Sequence, residues 1–429
     1  MTPAARLAAA IELVDLTAKA GAADREVRAY FRARRYAGAK DRNAVTELVF
    51  AIERRQAELR FRLGGAASSA RLQVMAARLL FDGATPAEID GLCTGIGHAP
   101  AALTGEEREV LARIAAERYA PLPDWARDGY PQWLEERLKR RFGSEVMAEM
   151  AAMQARAPAD LRVNRLKSSR EDVLQRLADE AIPAQPTPLS PIGVRLAAHP
   201  PLERSALYLD GLIEPQDEGS QLAALLVGAR PGMLVVDLCA GAGGKTLAIA
   251  AEMANAGALI ACDADARRLQ RLAPRLQRAG ARNVTLRPLQ GGSAAMLADL
   301  AGRCDRVLLD VPCSGSGTWR RQPWARWSLT EAALVRDLRL QAELLRTGAG
   351  LVGPGGRLVY VTCSLLAEEN DDQIAAFLQS RRDFTLLPVG GIWAETIGSP
   401  CPETSEMLYL SPYRHGTDGF FVAVLQRKD

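Results

Sequence analysis

The sequence predicts an α/β protein: a doubly wound parallel sheet over residues 229–429, preceded by an all-α region over 1–140 and a small α+β linking region over 141–228. Three observations predict this. Residues 1–140 carry helical stripes and no strand-like alternation. Residues 141–228 mix one alternating run, one helical run and a proline-rich stretch. From 229 onward, short apolar runs alternate with helical patterns, the signature of strands joined by crossover helices. At 429 residues the chain is long enough for two or three domains with a substantial core.

In order along the chain, Leu7, Ile11, Val14 and Ala18 mark one helical stripe, and Val45, Leu48, Val49 and Ile52 mark another, with Asp41 expected to cap it. LRVNRL (Leu161 to Leu166) alternates like a strand, and Glu171 to Glu180 has helical spacing. Six prolines between Pro183 and Pro201 keep that stretch extended or turning. MLVVDLC, ALIACDAD, NVTLRPL, DRVLLDVP, RLVYVTCS and FFVAVLQR read as strands. Helices are expected between them, including Leu334 to Leu345 and Glu368 to Leu378, and Pro274 is expected to kink the one that follows Asp265. In such sheets ligands bind at the carboxyl ends of the strands. DLCAGAGG, ACDAD, LLDVPCS and YVTCS all fall there, on four different strands, which implies one shared site.

Composition narrows the classes. Apolar residues make up 48% and charged residues 24%, ordinary values for a globular protein. No apolar run approaches the ~20 residues of a membrane span. The N-terminus lacks a signal-peptide pattern, so a cytoplasmic location is expected. The seven cysteines are dispersed without CxxC, which argues against disulfides and structural zinc; three unpaired histidines argue against a catalytic metal. Residues 1–63 hold thirteen Lys/Arg against eight Asp/Glu, densest from Arg32 to Arg42. A solvated helix face explains that patch as well as a phosphate-backbone footprint does.

DLCAGAGGKT (Asp237 to Thr246) is a glycine loop between strand and helix, and two nucleotides compete for it. A phosphate-binding loop, GxxxxGK[ST], needs glycine at position 239, where the chain has Cys239. S-adenosylmethionine asks for something else: backbone close to its methionine end, and an acid at the end of the second strand for its ribose hydroxyls. Asp263 stands there, 22 residues after Gly241.

DVPCSGSG and VTCSLLAEEN decide the chemistry. Cys313 and Cys363 lie 50 residues apart, both at strand ends before small polar residues, where a thiol faces a cleft. Carbon 5 of cytosine is a poor nucleophile. A thiolate adding to carbon 6 makes carbon 5 electron-rich enough to take a methyl group, and a base must then remove the carbon 5 proton so the thiol can leave. Asp310 is placed to assist at N3. The chemistry alone leaves open which cysteine attacks.

DLCAGAGGKT, DVPCSGSGTWRR and YVTCS together resemble the RNA 5-methylcytosine methyltransferases of the NOL1/NOP2/Sun family. LRVNRLK, EPQDEGSQLAALL and TDGFFVAVLQR resemble further segments of that family, and Tyr30 to Arg55 is similar to a NusB-type RNA-binding domain, the arrangement of the bacterial Sun/RsmB branch. The resemblance implies a Rossmann-like methyltransferase domain using S-adenosylmethionine on RNA, most simply small-subunit ribosomal RNA. Nothing in the sequence demands more than a monomer, or calls for a membrane or an obligate protein partner. It assigns Cys363 as nucleophile and Cys313 to product release. It assigns Cys239, Ala240, Gly241, Ala242, Gly243, Gly244 and Lys245 to the methyl donor, Asp263 to its ribose, and Asp310 to a place between donor and base. The family usually has an acid after the third strand, near the adenine; here Arg287 to Met296 offers none before Asp299. TWRRQPWARW (Thr318 to Trp327) groups three tryptophans with three arginines, suited either to core packing or to an unstacked base. Arg267 to Arg278 is expected to be a solvated helix face.

Other readings make different predictions. A transfer-RNA target changes only the substrate. A DNA cytosine methyltransferase usually works with one PC cysteine, and the second, in TCS, argues against it. A P-loop ATPase would bind ATP without the methyl donor, and a silent RNA-binding assembly factor would bind the donor without transferring its methyl group.

Overall fold

The apolar stripes of the N-terminal region close into a helical core. In the computed structural model, which describes residues 1–20, 23–64, 69–200, 202–289 and 293–429, the helices Pro3–Ala20, Ala39–Arg54, Ala70–Phe81 and Gly105–Ala116 bury Leu7, Leu13, Val14, Val45, Val49, Ile52, Val74, Met75, Leu111 and Ile114 together. The first stripe runs through Leu13 and Thr17, leaving Ala18 exposed, because 3.6 residues per turn drifts past that position. Asp41 does not cap the third helix. Gly38 does, and Asp41 in the first turn instead accepts from the Met1 amine and from Arg6 Nε, both at 2.7 Å. Thr104 and Glu107 form a reciprocal capping box at the start of Gly105–Ala116.

Contacts divide the chain into two compact units: Met1–Gln154 with Arg321–Leu329, and Ala155–Arg320 with Thr330–Asp429. The first unit therefore stays helical through Val146–Gln154, past residue 140, and takes in nine residues from the middle of the second. Those nine are anchored by Arg326, buried and donating to Gly129 O at 2.7 Å, and by Trp327 Nε1, donating to Glu53 O at 3.1 Å.

The second unit opens with an antiparallel sheet of β1 (Ala159–Val163), β2 (Ala184–Pro186), β3 (Gly193–Leu196) and β4 (Ile213–Pro215), in the order β2-β3-β1-β4. Leu161 and Val163 pack with Val194 and Leu196 against Val173 and Leu177 of the helix Arg170–Asp179. Asp160 and Arg162 alternate with them and are also buried, so both faces of β1 are covered.

The larger sheet contains β5 (Leu234–Asp237), β6 (Ala258–Asp263), β7 (Val284–Pro288), β8 (Cys304–Asp310), β9 (Val352–Thr362), β10 (Phe384–Leu387), β11 (Leu408–Leu410) and β12 (Phe420–Arg427). Its order is β10-β12-β9-β8-β5-β6-β7, with β11 on β12. The pairs β5–β6, β6–β7, β5–β8 and β8–β9 are parallel, as expected of crossover connections. The sheet is not parallel throughout. β12 runs antiparallel between β9 and β10, because its approach comes from the carboxyl edge rather than through a crossover helix. The strand order reverses at β5, so the switch point opens beside the glycine loop. The helix after β6 breaks at Arg271 into Ala266–Gln270 and Leu272–Ala279, since Pro274 has no N–H for the Gln270 carbonyl. The helix expected at Leu334 to Leu345 runs from Glu331 to Leu351.

Candidate active site

β5 ends at Asp237, which is buried and accepts from Thr246 Oγ1 at 2.6 Å. Burial pushes its carboxyl up to about 7, against the pull of that hydrogen bond. The chain then turns through Leu238 to Gly243 into the helix Gly244–Glu252. Gly243 has φ +85°, and a Cβ there would strike Leu272 Cδ1 at 2.1 Å, so this turn requires glycine. Two arginines grip the loop from outside. Arg275 donates to Ala242 O, and Arg162, buried on β1, donates to Gly244 O and to Gln216 Oε1 at 2.6 Å. Glu214 on β4 pairs with Arg275 at 3.0 Å and with Arg278. Of the helix face expected to be solvated, Arg267, Arg268 and Arg271 are exposed, while Arg275 turns in to hold the loop.

A cleft of about 790 Å3 lies at the carboxyl ends of β5, β6, β8 and β9, within the range of small-ligand sites. Cys239, Ala240, Gly241, Ala242, Gly244, Lys245, Asp263, Asp310, Cys313 and Cys363 all line it. Gly243 does not; it faces Leu272. Both oxygens of Asp263 are held, Oδ2 by Gly241 N–H and Oδ1 by Asp265 N–H, each at 2.7 Å. Lys245 Nζ pairs with Asp310 Oδ2 at 2.7 Å; the lysine is 9% exposed and the carboxylate 33%. Leu289, Leu340 and Leu344 supply apolar wall. These residues fit a methyl donor of the adenosyl type. Gly241 and Gly244 let the backbone approach a ligand there, and each Asp263 oxygen keeps a lone pair for a ribose hydroxyl.

The thiols of Cys313 and Cys363 meet in this cleft, Sγ to Sγ 3.5 Å. The Cys313 thiol is pushed well above its ordinary range, first by its hydrogen bond with Cys363 and then by burial. Cys239 is raised too, mainly by burial, with Asp237 and Asp310 adding negative charge nearby. The Cys363 loop is set by a close backbone approach. Gly317 N–H donates to Cys363 O at 2.9 Å, and Gly419 N–H donates to Gly317 O at 2.8 Å. A Cβ on Gly317 would meet Gly419 O at 2.3 Å.

Other expected residues lie elsewhere. Trp319 is fully buried, and Arg320 is buried in ion pairs with Asp418 at 2.5 Å and Asp217 at 3.5 Å. With Arg326 and Trp327 anchored in the first unit, core packing takes most of TWRRQPWARW. In the basic patch, Arg34 pairs with Glu12 at 3.0 Å and stacks on Tyr30. Asp299 pairs with Arg287 at 2.7 Å and does not line the cleft; the stretch 290–292 between β7 and that acid lies outside the described residues. Sequence reasoning missed Arg162, Gln216 and Arg275. The one signal for Arg162 was its place inside an alternating strand whose second face is also covered. Among the described residues there is no metal-ligating cluster of His, Cys, Asp and Glu, and no helix long and apolar enough to cross a membrane.

A mixed sheet with a glycine loop at its switch point and a cleft at its carboxyl edge defines a Rossmann-like fold that binds an adenosine-type cofactor there. Residues 224–426 match the model of the 16S rRNA methyltransferase RsmB/F family, and residues 130–203 match the ferredoxin-like domain of RsmF/B-like methyltransferases. The chain is 36% identical over 302 residues to the probable ribosomal RNA small subunit methyltransferase B of Synechocystis, covering 70% of this chain and 67% of that one. It is 35% identical over 305 residues to the ribosomal RNA small subunit methyltransferase B of Salmonella agona, covering 71% and 67%. Among solved structures, PH0851 superposes with a TM-score of 0.77 at 28% identity, over 100% of this chain and 99% of that one. A methyltransferase homolog from Pyrococcus horikoshii gives 0.60 at 31% identity, over 71% and 97%. NSun6 from the same organism, crystallised with SFG, gives 0.61 at 22%, over 70% and 99%, a likeness of fold. The chain belongs to the RsmB/F methyltransferase family.

Proposed function

We propose that the protein methylates carbon 5 of a cytosine in small-subunit ribosomal RNA, through a covalent adduct with Cys363. The observation that carries this is the thiol pair: Cys313 and Cys363, 3.5 Å apart, in the same cleft as the glycine loop. S-adenosylmethionine, bound along Cys239 to Lys245 with its ribose on Asp263, supplies the methyl group. Cys363 Sγ adds to carbon 6 of the ring, and the displaced electron pair makes carbon 5 the nucleophile. The Lys245–Asp310 pair lies at the same mouth and hydrogen-bonds the ring on its N3 side. Once carbon 5 is methylated its proton passes to a base, Cys313 acting as thiolate; the electron pair left behind re-forms the ring double bond and expels the Cys363 thiolate. Cys313, held at hydrogen-bond distance, assists that release. The relatives' names supply the ribosomal RNA target.

The test is transfer of labelled methyl from S-adenosylmethionine to protein-free small-subunit RNA, with the product base identified by mass spectrometry. Methyl on cytosine carbon 5 is expected. Methyl at another atom, or ATP binding without donor binding, overturns the reading.

A further inference from the structure

Both catalytic loops are tied to a single buried side chain. Glu369 is fully buried, and its carboxylate is surrounded by donors. Oε1 accepts from Ser314 N–H at 2.8 Å and from Gln341 Nε2 at 3.0 Å. Oε2 accepts from Ser314 Oγ at 2.5 Å and from Ser364 Oγ. Ser314 directly follows Cys313, and Ser364 directly follows Cys363. The residues on the other side of each cysteine are tied to the same place. Gln341 Nε2 also donates to Pro312 O at 2.9 Å, and Thr362 Oγ1 donates to Asn370 Oδ1 at 2.6 Å. Asn370 Nδ2 donates to Ser364 O at 2.9 Å, and Tyr360 OH fixes the Glu369 carbonyl at 2.7 Å.

A carboxylate offers about four acceptor positions and no donor. Here four donors converge on it, two from the Cys313 loop, one from the Cys363 loop and one from Gln341. No neutral side chain of that length can do the same: a glutamine would aim an amino group at the hydroxyls. The strength of charge-assisted hydrogen bonds makes the geometry stiff. The carboxylate touches neither sulfur, although its charge adds to what holds the Cys313 thiol up; Ser314→Ala and Ser364→Ala keep that charge and so separate it from positioning.

We infer that Glu369 is a positioning residue, a clamp that sets the Cys313–Cys363 separation by holding Ser314 and Ser364 on one carboxylate. This rests on the proposed use of the two thiols, yet the clamp is measurable without it. Thiols held at hydrogen-bond distance titrate apart, one early and one late; thiols released from each other titrate nearer the ordinary cysteine value.

The experiment follows alkylation of Cys313 and Cys363 with iodoacetamide against pH, by peptide mapping, in the full chain and in Glu369→Gln. Cys239, on the other loop, is the internal control. In the wild type Cys313 is expected to react only well above the ordinary thiol range. In Glu369→Gln its profile is expected to move to lower pH, with Cys239 unchanged. Turnover is expected to fall roughly a hundredfold, the scale of an ångström-sized misplacement, with KM for S-adenosylmethionine unchanged. Ser314→Ala and Ser364→Ala, which each remove one donor, should move both readouts the same way and serve if Glu369→Gln does not fold. Unchanged thiol profiles in a folded variant overturn the clamp, whether or not turnover falls. A lowered Cys313 profile in a protein whose wild type methylates no RNA leaves the clamp standing and removes the functional reading.

Discussion

The two halves of the cleft are held in shape by opposite means. On the β5–β6 side, carbonyl oxygens of the glycine loop are gripped by cations, Arg162 and Arg275, with Glu214 behind them. On the β8–β9 side, hydroxyl and amide donors converge on one anion, Glu369. A loop meant to offer N–H groups to a ligand is best supported through its carbonyls. Loops meant to keep two sulfurs apart by a fixed distance are best supported by one shared acceptor. The difference shows that the donor half is shaped mainly by backbone and the thiol half mainly by side chains, so substitutions should hurt the thiol half more.

The largest effect is expected at the thiols. Cys363→Ala should abolish methyl transfer and form no adduct, whereas Cys313→Ala should retain attack and accumulate a covalent RNA complex on denaturing gels. The reverse pattern would exchange their roles. On the donor side, Asp263→Ala deletes the acceptor of two backbone N–H groups and of the ribose. Charged hydrogen bonds contribute about 1.5–3 kcal/mol, so donor affinity by calorimetry should fall about tenfold to a hundredfold. Arg275→Ala removes one support of the loop while Arg278 still neutralises Glu214. A loss of about 1 kcal/mol, a few-fold in donor affinity with kcat unchanged, is expected. An Arg275→Ala defect as large as that of Cys363→Ala would erase the contrast between the two halves.

The last expectation is read in stability rather than transfer and concerns Asp237, behind both halves. Its folded carboxyl is raised to about 7, above an unfolded value near 4. The unfolded chain therefore releases this proton first as pH rises, and stability attributable to the group falls between about pH 4 and pH 7. Asp237→Asn removes that dependence, so the Tm of the variant should gain on wild type across this window and run parallel above it. Equal slopes from pH 4 to 7 would mean that Asp237 is ionised throughout.

What the sequence disclosed follows from what local pattern can encode. Strand ends, the glycine loop and the two cysteines were legible, because apolar runs and punctuating glycines are local signals. Asp263 was legible from its spacing to Gly241. Arg275 was not, since charge on an amphipathic helix reads as solvent-facing unless its partner is known, and Glu214 lies 61 residues upstream. Glu369 was in view in VTCSLLAEEN, but nothing local distinguishes it from Glu368. Only the fold brings Ser314, 55 residues away, to its carboxylate. The antiparallel entry of β12 was equally invisible, because strand direction depends on the route of the connection rather than on composition. Trp319, Arg320 and Arg326 show the converse: within an aromatic and basic run beside the Cys313 loop, these residues are taken up in packing and ion pairs, while Arg321 and Trp324 line a surface pocket.

The position of β12 also sets an order of assembly. It follows both of its neighbours in the chain, yet lies between them, so β9 keeps an unpaired edge from Arg357 to Thr362 until β12 arrives. An exposed apolar edge of that kind is a template for mispairing. Gly419, just before β12, then closes on Gly317, whose N–H already holds the Cys363 carbonyl. Because β12 follows β9 and β10 in the chain, this is the last of these restraints that a chain being synthesised can make. A chain lacking β12 would still hold the glycine loop and both cysteines, but not the Gly419 contact on Gly317 that fixes the Cys363 carbonyl.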